Sequence, residues 1–428
     1  MKRKLLIIPL IVIIAMASYY YHYLQRPDKL TIGLFAGNPW SDTNFNIYDV
    51  IDEVIEQYQA RYGIEVEYVS GVLQEDYSNH LNSLIVAGKE PDIYLIFEED
   101  FTTLANTEAL VRLDGLIARD GNFNLDNYYQ APLKAGEFNG IRYALPVDCN
   151  LDLLFVNETL LEQEGIVIDD QLDLDEFYHI CQQVTKDTDN DGVIDQFGCS
   201  NYDLADILSA FGIDFFSQGD FFIDLDKTKA ALEYFKKLNA LNGRSSVSLD
   251  DYDLGHVAFA KLPFSQFRTY RFYPYNLTKY STFKWDCINL PSETGNSGRI
   301  DTLLAGISAR VQNKSAAYNF IKLLSNDAQV QQDYFATSQG ISPLSSVVNS
   351  LATSTLLHEQ SLDGDFALPV IDRAMTQALI SKKIPNYDFL YSQAIEKLNQ
   401  TLRSDEDIDL VLINVQKEMN ELMIQTNK

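Results

Sequence analysis

The sequence predicts an α/β chain of two lobes with a central ligand cleft between them. Three observations carry that expectation. Residues 30–97 alternate short apolar runs with helical spacings in the order β-α-β-α-β. Residues 139–157, NGIRYALPVDCNLDLLFVN, then break that rhythm, punctuated by Gly140 and Pro146. A chain of 428 residues is also too long for one ordinary core.

The elements follow in order. Lys2, Arg3 and Lys4 precede an apolar run over 5–17, the shape of a secretory signal, with Ala15 and Ala17 flanking a small-x-small cleavage site. Extended through Tyr19, Tyr20, Tyr21, Tyr23 and Leu24, the run approaches the ~20 residues that span a bilayer. Its tyrosines then form an interfacial belt, and its leading charges stay inside. We expect an anchor over a cleaved signal. Either form places the body outside the cytoplasm, tethered to the membrane or secreted. The first cysteine is Cys149, so no lipoprotein cysteine is available there.

Residues 30–35 read as a strand and 36–40, with Gly37 and Pro39, as a turn. Ile47, Ile51, Val54, Ile55, Tyr58 and Tyr62 recur at helical spacing, closed by Gly63. Residues 65–69 alternate as a strand, and Tyr77, Leu81, Leu84 and Ile85 share one face of a helix stopped by Gly88. Five apolar residues at 93–97 read as a strand buried on both faces of a parallel sheet. Ligands bind such sheets beyond the carboxyl ends of the strands, here the loops at 37–45 and 98–100. Residues 139–157 read as the crossing into the second lobe, with Asp148 and Asn150 at the seam. Helices are expected at 173–184, 203–212 and 226–241, the last capped by Asp226. Residues 264–275 are dense in aromatics and hold Arg268 and Arg271. A strand at 303–308 returns to the first lobe, followed by helices at 315–324, 327–335, 369–381, 388–402 and 406–425. In the last, Ile408, Leu412, Val415, Met419 and Leu422 form one apolar stripe.

Composition narrows the chemistry. Thirty-three Lys and Arg stand against 61 Asp and Glu, a net charge of -28, which disfavours nucleic acid as a partner. Cys149, Cys181, Cys199 and Cys287 match no zinc spacing and are read as small buried hydrophobes. The five histidines are scattered and no HExxH occurs, so catalytic zinc has no support. One loop does suggest a metal. Asp187, Asp189 and Asp191 alternate before Gly192 as in the start of an EF-hand loop, with Val193 and Asp195 at the seventh and ninth positions. Gly198 stands where the bidentate Glu belongs. A weak structural calcium site or a solvated acidic turn both fit, and no cofactor is required.

Four stretches together resemble the extracellular solute-binding proteins of ABC importers, in the cluster that includes maltose-binding protein: 88–100 (GKEPDIYLIFEED), 139–166, 316–331 (AAYNFIKLLSNDAQVQ) and 340–344 (GISPL). The resemblance implies a periplasmic-binding-protein-like fold, with hinge strands crossing between the lobes more than once. It also implies a sugar or oligosaccharide ligand, closure on binding, docking to ABC permease transmembrane subunits, and no catalysis. A monomer is expected. After the N-terminal segment (1–29), lobe 1 takes residues 30–147 and about 302–345, and lobe 2 takes 148–301 and about 346–428. Carried over by motif, the ligand contacts fall at Asn38 and Trp40, at Glu99 and Asp100, and at Asp148 or Asn150. They continue at Phe215 or Phe216, with Phe216 preferred, at Phe264, Phe267 and Arg268, and at Tyr387, Phe389 or Tyr391. The family's Trp-bearing loop has no Trp here; Phe264, Phe267, Arg268 and Tyr270 stand in its place. Several of these have a structural reading as well. Glu99 and Asp100 equally suit the N-cap of the next helix, and Phe389 and Tyr391, two apart, point to different faces. Two other roles remain open: a ligand sensor for a membrane histidine kinase, and a secreted glycan-acting enzyme using paired carboxylates.

Overall fold

The computed structural model describes residues 29–40, 47–69, 71–217, 220–270, 283–295, 298–360, 368–403 and 407–426. The N-terminal segment read as signal or anchor lies outside the described residues, as do positions 271–275 of the aromatic stretch. Among the described residues no helix is long and apolar enough to cross a membrane.

The alternation in the sequence becomes a parallel start to the sheet. β1 (Lys29–Gly33) pairs in parallel with both β2 (Glu65–Val69) and β3 (Ile93–Ile96). Between them, α1 (Ile47–Tyr62) buries Ile47, Ile51, Val54, Ile55 and Tyr58 as the spacing requires. α2 (Gln74–Ala87) stops where Gly88 takes φ 66°, a left-handed conformation that a glycine adopts without a Cβ clash. All four residues of β3 are buried, as a strand covered on both faces should be. Its chain continues directly into α3 (Glu98–Asn106), which carries three acids in its first turn, where the helix dipole favours them.

The crossing is one long strand. β4 (Ala144–Asn157) runs for 14 residues, every one buried except Asp152. β5 (Phe197–Ser200), β6 (Val257–Pro263), β7 (Trp285–Ile288) and β8 (Ile300–Ile307) complete an eight-stranded sheet. Its order is β2-β1-β3-β8-β4-β6-β5, with β7 also on β4. β8 pairs antiparallel with both β3 and β4, and therefore crosses alongside β4. The β8–β4 register slips between Leu303, opposite Asp148, and Leu304, opposite Pro146. Val147 is the extra residue of a bulge, beside a proline that has no N–H for the ladder. Side chains satisfy the freed carbonyls: Ser325 Oγ donates to Pro146 O at 2.5 Å and Gln331 Nε2 to Val147 O at 3.0 Å. A third segment returns here, where Cys149 and Ile341 exchange backbone hydrogen bonds of 2.9 and 2.7 Å.

The second half is helix-rich: α4 (Leu174–Val184), α5 (Leu204–Ala210), α6 (Leu225–Ala240), α7 (Phe264–Tyr270), α8 (Lys314–Asn326), α9 (Ala328–Thr337), α10 (Leu368–Gln377), α11 (Tyr387–Thr401) and α12 (Ile408–Thr426). Asp226 is not the cap of α6. Asp224 is, accepting from Lys227 N at 3.1 Å, and Asp226 sits in the first turn. The expected stripe of α12 is packed inward through Leu412, Val415 and Met419.

Three apolar clusters result. One joins Leu30–Val147 residues to Leu303–Tyr334 residues. A second joins residues from Leu154 to Leu290 with the C-terminal helices. A third fills the junction, with Cys149, Leu151, Leu153 and Phe155 of β4 against Phe264, Phe267, Phe335 and Met375. All four cysteines are free thiols, and only Cys199 is not fully buried.

Candidate functional site

The bulge in β4 aims Asp148 into the space between β1's loop, α7 and the end of α9. Trp40 Nε1 donates to Asp148 Oδ2 at 2.8 Å, and Cys149 N to Oδ1 at 2.9 Å. The nearby Ser338 hydroxyl favours the ionised form of the carboxyl. Gly340 packs against it so closely that any side chain there would collide with the carboxyl group. Burial outweighs these hydrogen bonds and the nearby Arg268 charge, and the Asp148 pKa rises to about 8. Arg268 is itself fully buried. Its guanidinium donates to Phe335 O at 3.2 Å and Ala336 O at 3.3 Å and lies 4.8 Å over the Phe335 ring. Asn38 Nδ2 donates to Gln339 Oε1 at 2.7 Å, and Gln339 Nε2 to Thr269 Oγ1 at 3.0 Å. Asn150 and Ser265 hold each other by two bonds of 3.1 and 3.2 Å. This is a polar seam joining residues from both sides of the bulge.

The structure also holds a cavity of about 620 Å³, which none of the seam residues lines. Gln130 and Lys134 line one part of it, Ser209, Asp214 and Phe215 another, and Ala378–Lys383 residues a third. Tyr387 and Tyr391, one turn apart on α11, stack at 5.8 Å. The Arg299 guanidinium lies 3.7 Å over Tyr391 and 5.1 Å over Tyr387. A second cavity of about 130 Å³ takes Asp152, Tyr202 and Asp206 and shares Ser209, Arg299 and Tyr391 with the first. Ion pairs frame the pair of cavities. Lys383 reaches Glu98 at 2.8 Å, Lys382 reaches Asp214 at 2.6 Å, and Lys261 reaches Asp206 at 2.9 Å. Burial raises the pKa of Glu98, against Lys383, and lifts Asp206 and Asp301 to about 7.

The sequence-predicted residues therefore divide. Tyr387 and Tyr391 line the cavity. Asn38, Trp40, Asp148, Asn150 and Arg268 meet in the seam. Phe264 and Phe267 stack on each other at 5.6 Å inside the junction core and are fully buried. Phe216 packs against Tyr387 within the second core, whereas its neighbour Phe215 lines the cavity. Glu99 and Asp100 lie in the first turn of α3, Asp100 accepting from Ser78 Oγ at 2.5 Å. Phe389 is half exposed. Sequence reasoning missed Arg299, Lys382 and Lys383, and within the loop 98–100 it did not single out Glu98. Glu98 had a signal, as the first acid after a buried strand; the others carry no local pattern.

In the acidic loop, Asp187, Asp189 and Asp195 bring carboxylate oxygens within 4.8 Å of one another. Gly192 takes φ 93° at the bend. Asp191 stands apart, with Oδ1 accepting from Val193 N at 2.7 Å. Backbone donors already serve Asp187, from Asp191 N and Gly192 N, and Asp195, from Thr188 N. Asp187, Asp189 and Asp195 could together hold an ion.

The profile of the family described as "Bacterial extracellular solute-binding protein" matches residues 53–356, more than half of the chain. No curated protein sequence matches. Among solved structures, the sugar-binding protein MalE from Xanthomonas citri is similar with a TM-score of 0.75 at 14% identity, over 93% of this chain and 98% of that one. The cyclic alpha-maltosyl-1,6-maltose binding protein from Arthrobacter globiformis gives 0.74 at 17%, over 93% and 99%. The ABC substrate-binding protein Lmo0181 from Listeria monocytogenes, solved with cycloalternan, gives 0.67 at 15%, over 92% and 99%. At these identities the likeness is one of fold, and that fold is the α/β architecture of periplasmic binding proteins. The family consists of receptors that bind without catalysis. With the sheet, the crossing strands and the family profile in agreement, the chain belongs to the bacterial extracellular solute-binding proteins.

Proposed function

We propose that this chain is an extracytoplasmic receptor that holds a carbohydrate between two lobes and delivers it to the transmembrane subunits of an ABC importer. The observation that carries this reading is the wall of the larger cavity, where the Tyr387–Tyr391 ring pair is bordered by Gln130, Ser209, Asp214 and Arg299. Sugars present apolar C–H faces that stack on rings and hydroxyl edges that pair with amides, carboxylates and guanidinium groups. The volume of about 620 Å³ suits a small ligand. Neighbours of the same fold are a sugar-binding protein, a cyclic alpha-maltosyl-1,6-maltose binding protein and a substrate-binding protein in complex with cycloalternan, which supports the same ligand class here. The lobes in this reading are residues 30–147 with about 302–345, and 148–301 with about 346–428. Trp40, Asp148 and Arg268 stand at the hinge, where closure about β4 and β8 changes their packing. The Lys2–Lys4 charges and the apolar run after them tether the body to the membrane.

Thermal shift across a panel of mono- and oligosaccharides tests the reading. A raised Tm with at least one sugar is expected. Silence toward every sugar, with a response to another solute class, would sink it. Tyr391→Ala is expected to weaken the responding sugar about tenfold, because a ring contact worth ~1 kcal/mol and its buried area are lost. Isothermal titration checks the figure, and unchanged affinity would remove Tyr391 from the site.

We also infer that extracellular calcium occupies the Asp187–Asp189–Asp195 loop as a structural ion. Millimolar calcium should raise Tm by roughly a degree or two, and Asp189→Asn should abolish the rise. A Tm indifferent to calcium and to chelator would leave the loop a hydrogen-bonded turn.

A further inference from the structure

We infer that the carbohydrate taken by this cleft carries a carboxylate, received by Arg299 and Lys134. The inference rests on the receptor reading above and names its ligand more narrowly.

The chain has a net charge of -28, yet the larger cavity is lined by Lys134, Arg299, Lys382 and Lys383 against the one acid Asp214. Two of these cations are already matched, Lys382 by Asp214 and Lys383 by Glu98. Among the described residues no carboxylate stands within 4.0 Å of the other two. Lys134 is exposed, with its ammonium free to turn toward a ligand. Arg299 is half-buried and fixed. Its backbone neighbours are tied to the 378–383 segment, with Leu379 N donating to Gly298 O at 2.8 Å and Ile300 N to Leu379 O at 2.9 Å. Its guanidinium carbon lies 3.7 Å over the centre of the Tyr391 ring. Stacking occupies the face of a guanidinium and leaves its edge donors free, in the fork that matches a carboxylate. Arg299 also lines both cavities, so a ligand entering either meets it.

The surrounding acids do not cancel this charge. Asp301 and Asp388 feel Arg299 without reaching ion-pair distance. Asp301 is held near half-protonation at neutral pH by burial and by Glu98. The same acids, with Asp152 and Asp206, argue for a singly charged carboxylate over a phosphate dianion, whose second charge they would oppose. A neutral sugar hydroxyl engages one donor of the fork; a uronate engages two in parallel.

Matched pairs of trisaccharides test the inference by isothermal titration: α-1,4-trigalacturonate against α-1,4-galactotriose, and β-1,4-trimannuronate against β-1,4-mannotriose. Members of each pair differ at C6. The expected result is at least a tenfold preference for the acidic member of one pair. Arg299→Gln should reduce that preference to within threefold, with the variant's Tm kept near the parent's. A neutral member that binds as well as or better than its acidic partner overturns the inference and leaves the carbohydrate reading standing. An acidic preference that Arg299→Gln does not move also overturns it. No binding by any of the four, joined to silence across the wider sugar panel, overturns both.

Discussion

Arg268→Met is expected to lower folding stability by ~3–5 kcal/mol, the range for breaking a buried charged network from one side. Methionine fills much of the space, so the loss is mainly electrostatic. Arg268 is fully buried and forks onto the carbonyls of Phe335 and Ala336 at the end of α9. Without it those acceptors lose their donors, at ~1–3 kcal/mol for each buried group left unsatisfied. The cation over the Phe335 ring is lost as well. Asp148 also loses the Arg268 charge that favours its ionised form. Arg268→Lys keeps a charge and loses the fork, so a smaller loss is expected. Urea midpoints of the three proteins measure the ordering. A loss below ~1 kcal/mol for the methionine variant would show the seam to be incidental to folding.

That network explains where sequence reading succeeded and where it stopped. The N-terminal part of the sheet was legible because its signals are local. Apolar residues recur at period 3.6 between Ile47 and Tyr58, Gly63 and Gly88 end helices at positive φ, and residues 93–96 form an unbroken apolar strand. The crossing was legible because Pro146 and the run after it change the rhythm, although β6 and β7, which flank it, passed unnoticed. Side-chain placement was another matter. Trp40 meets Asp148 across 108 positions and Lys383 meets Glu98 across 285, and no spacing encodes such contacts. Aromatic identity also misled. Phe264 and Phe267 are one turn apart on α7, and that i, i+3 spacing marks a buried face as readily as a ligand platform. Of three consecutive acids after β3, only the backbone direction decides that Glu98 turns toward Lys383 while Asp100 turns toward Ser78.

Asp148 makes a second consequence measurable: the folded protein should lose stability as pH rises from about 4 to about 8. The sign follows from the two states. In the native chain burial holds the Asp148 proton until about pH 8. An unfolded chain releases it near the ordinary aspartate value of ~3.9. Between these values the native state binds more protons, so each pH unit upward costs up to ~1.4 kcal/mol. Asp206 and Asp301, both lifted to about 7, act in the same direction. Calorimetric Tm values should therefore be higher near pH 5 than near pH 8. Asp148→Asn keeps the group neutral at every pH. Its amide cannot accept on both sides as the carboxyl does from Trp40 and Cys149, so near pH 5 it should cost ~1 kcal/mol. Near pH 8, where the parent carries a buried charge, the variant should equal or exceed it. Arg268 sharpens the test, because it favours the ionised form of Asp148. In Arg268→Met the proton should be held still longer, and the decline should continue above pH 8. Parallel Tm–pH curves for the parent and Asp148→Asn would mean that Asp148 ionises in the fold as it does in water, and the seam would then be open to solvent.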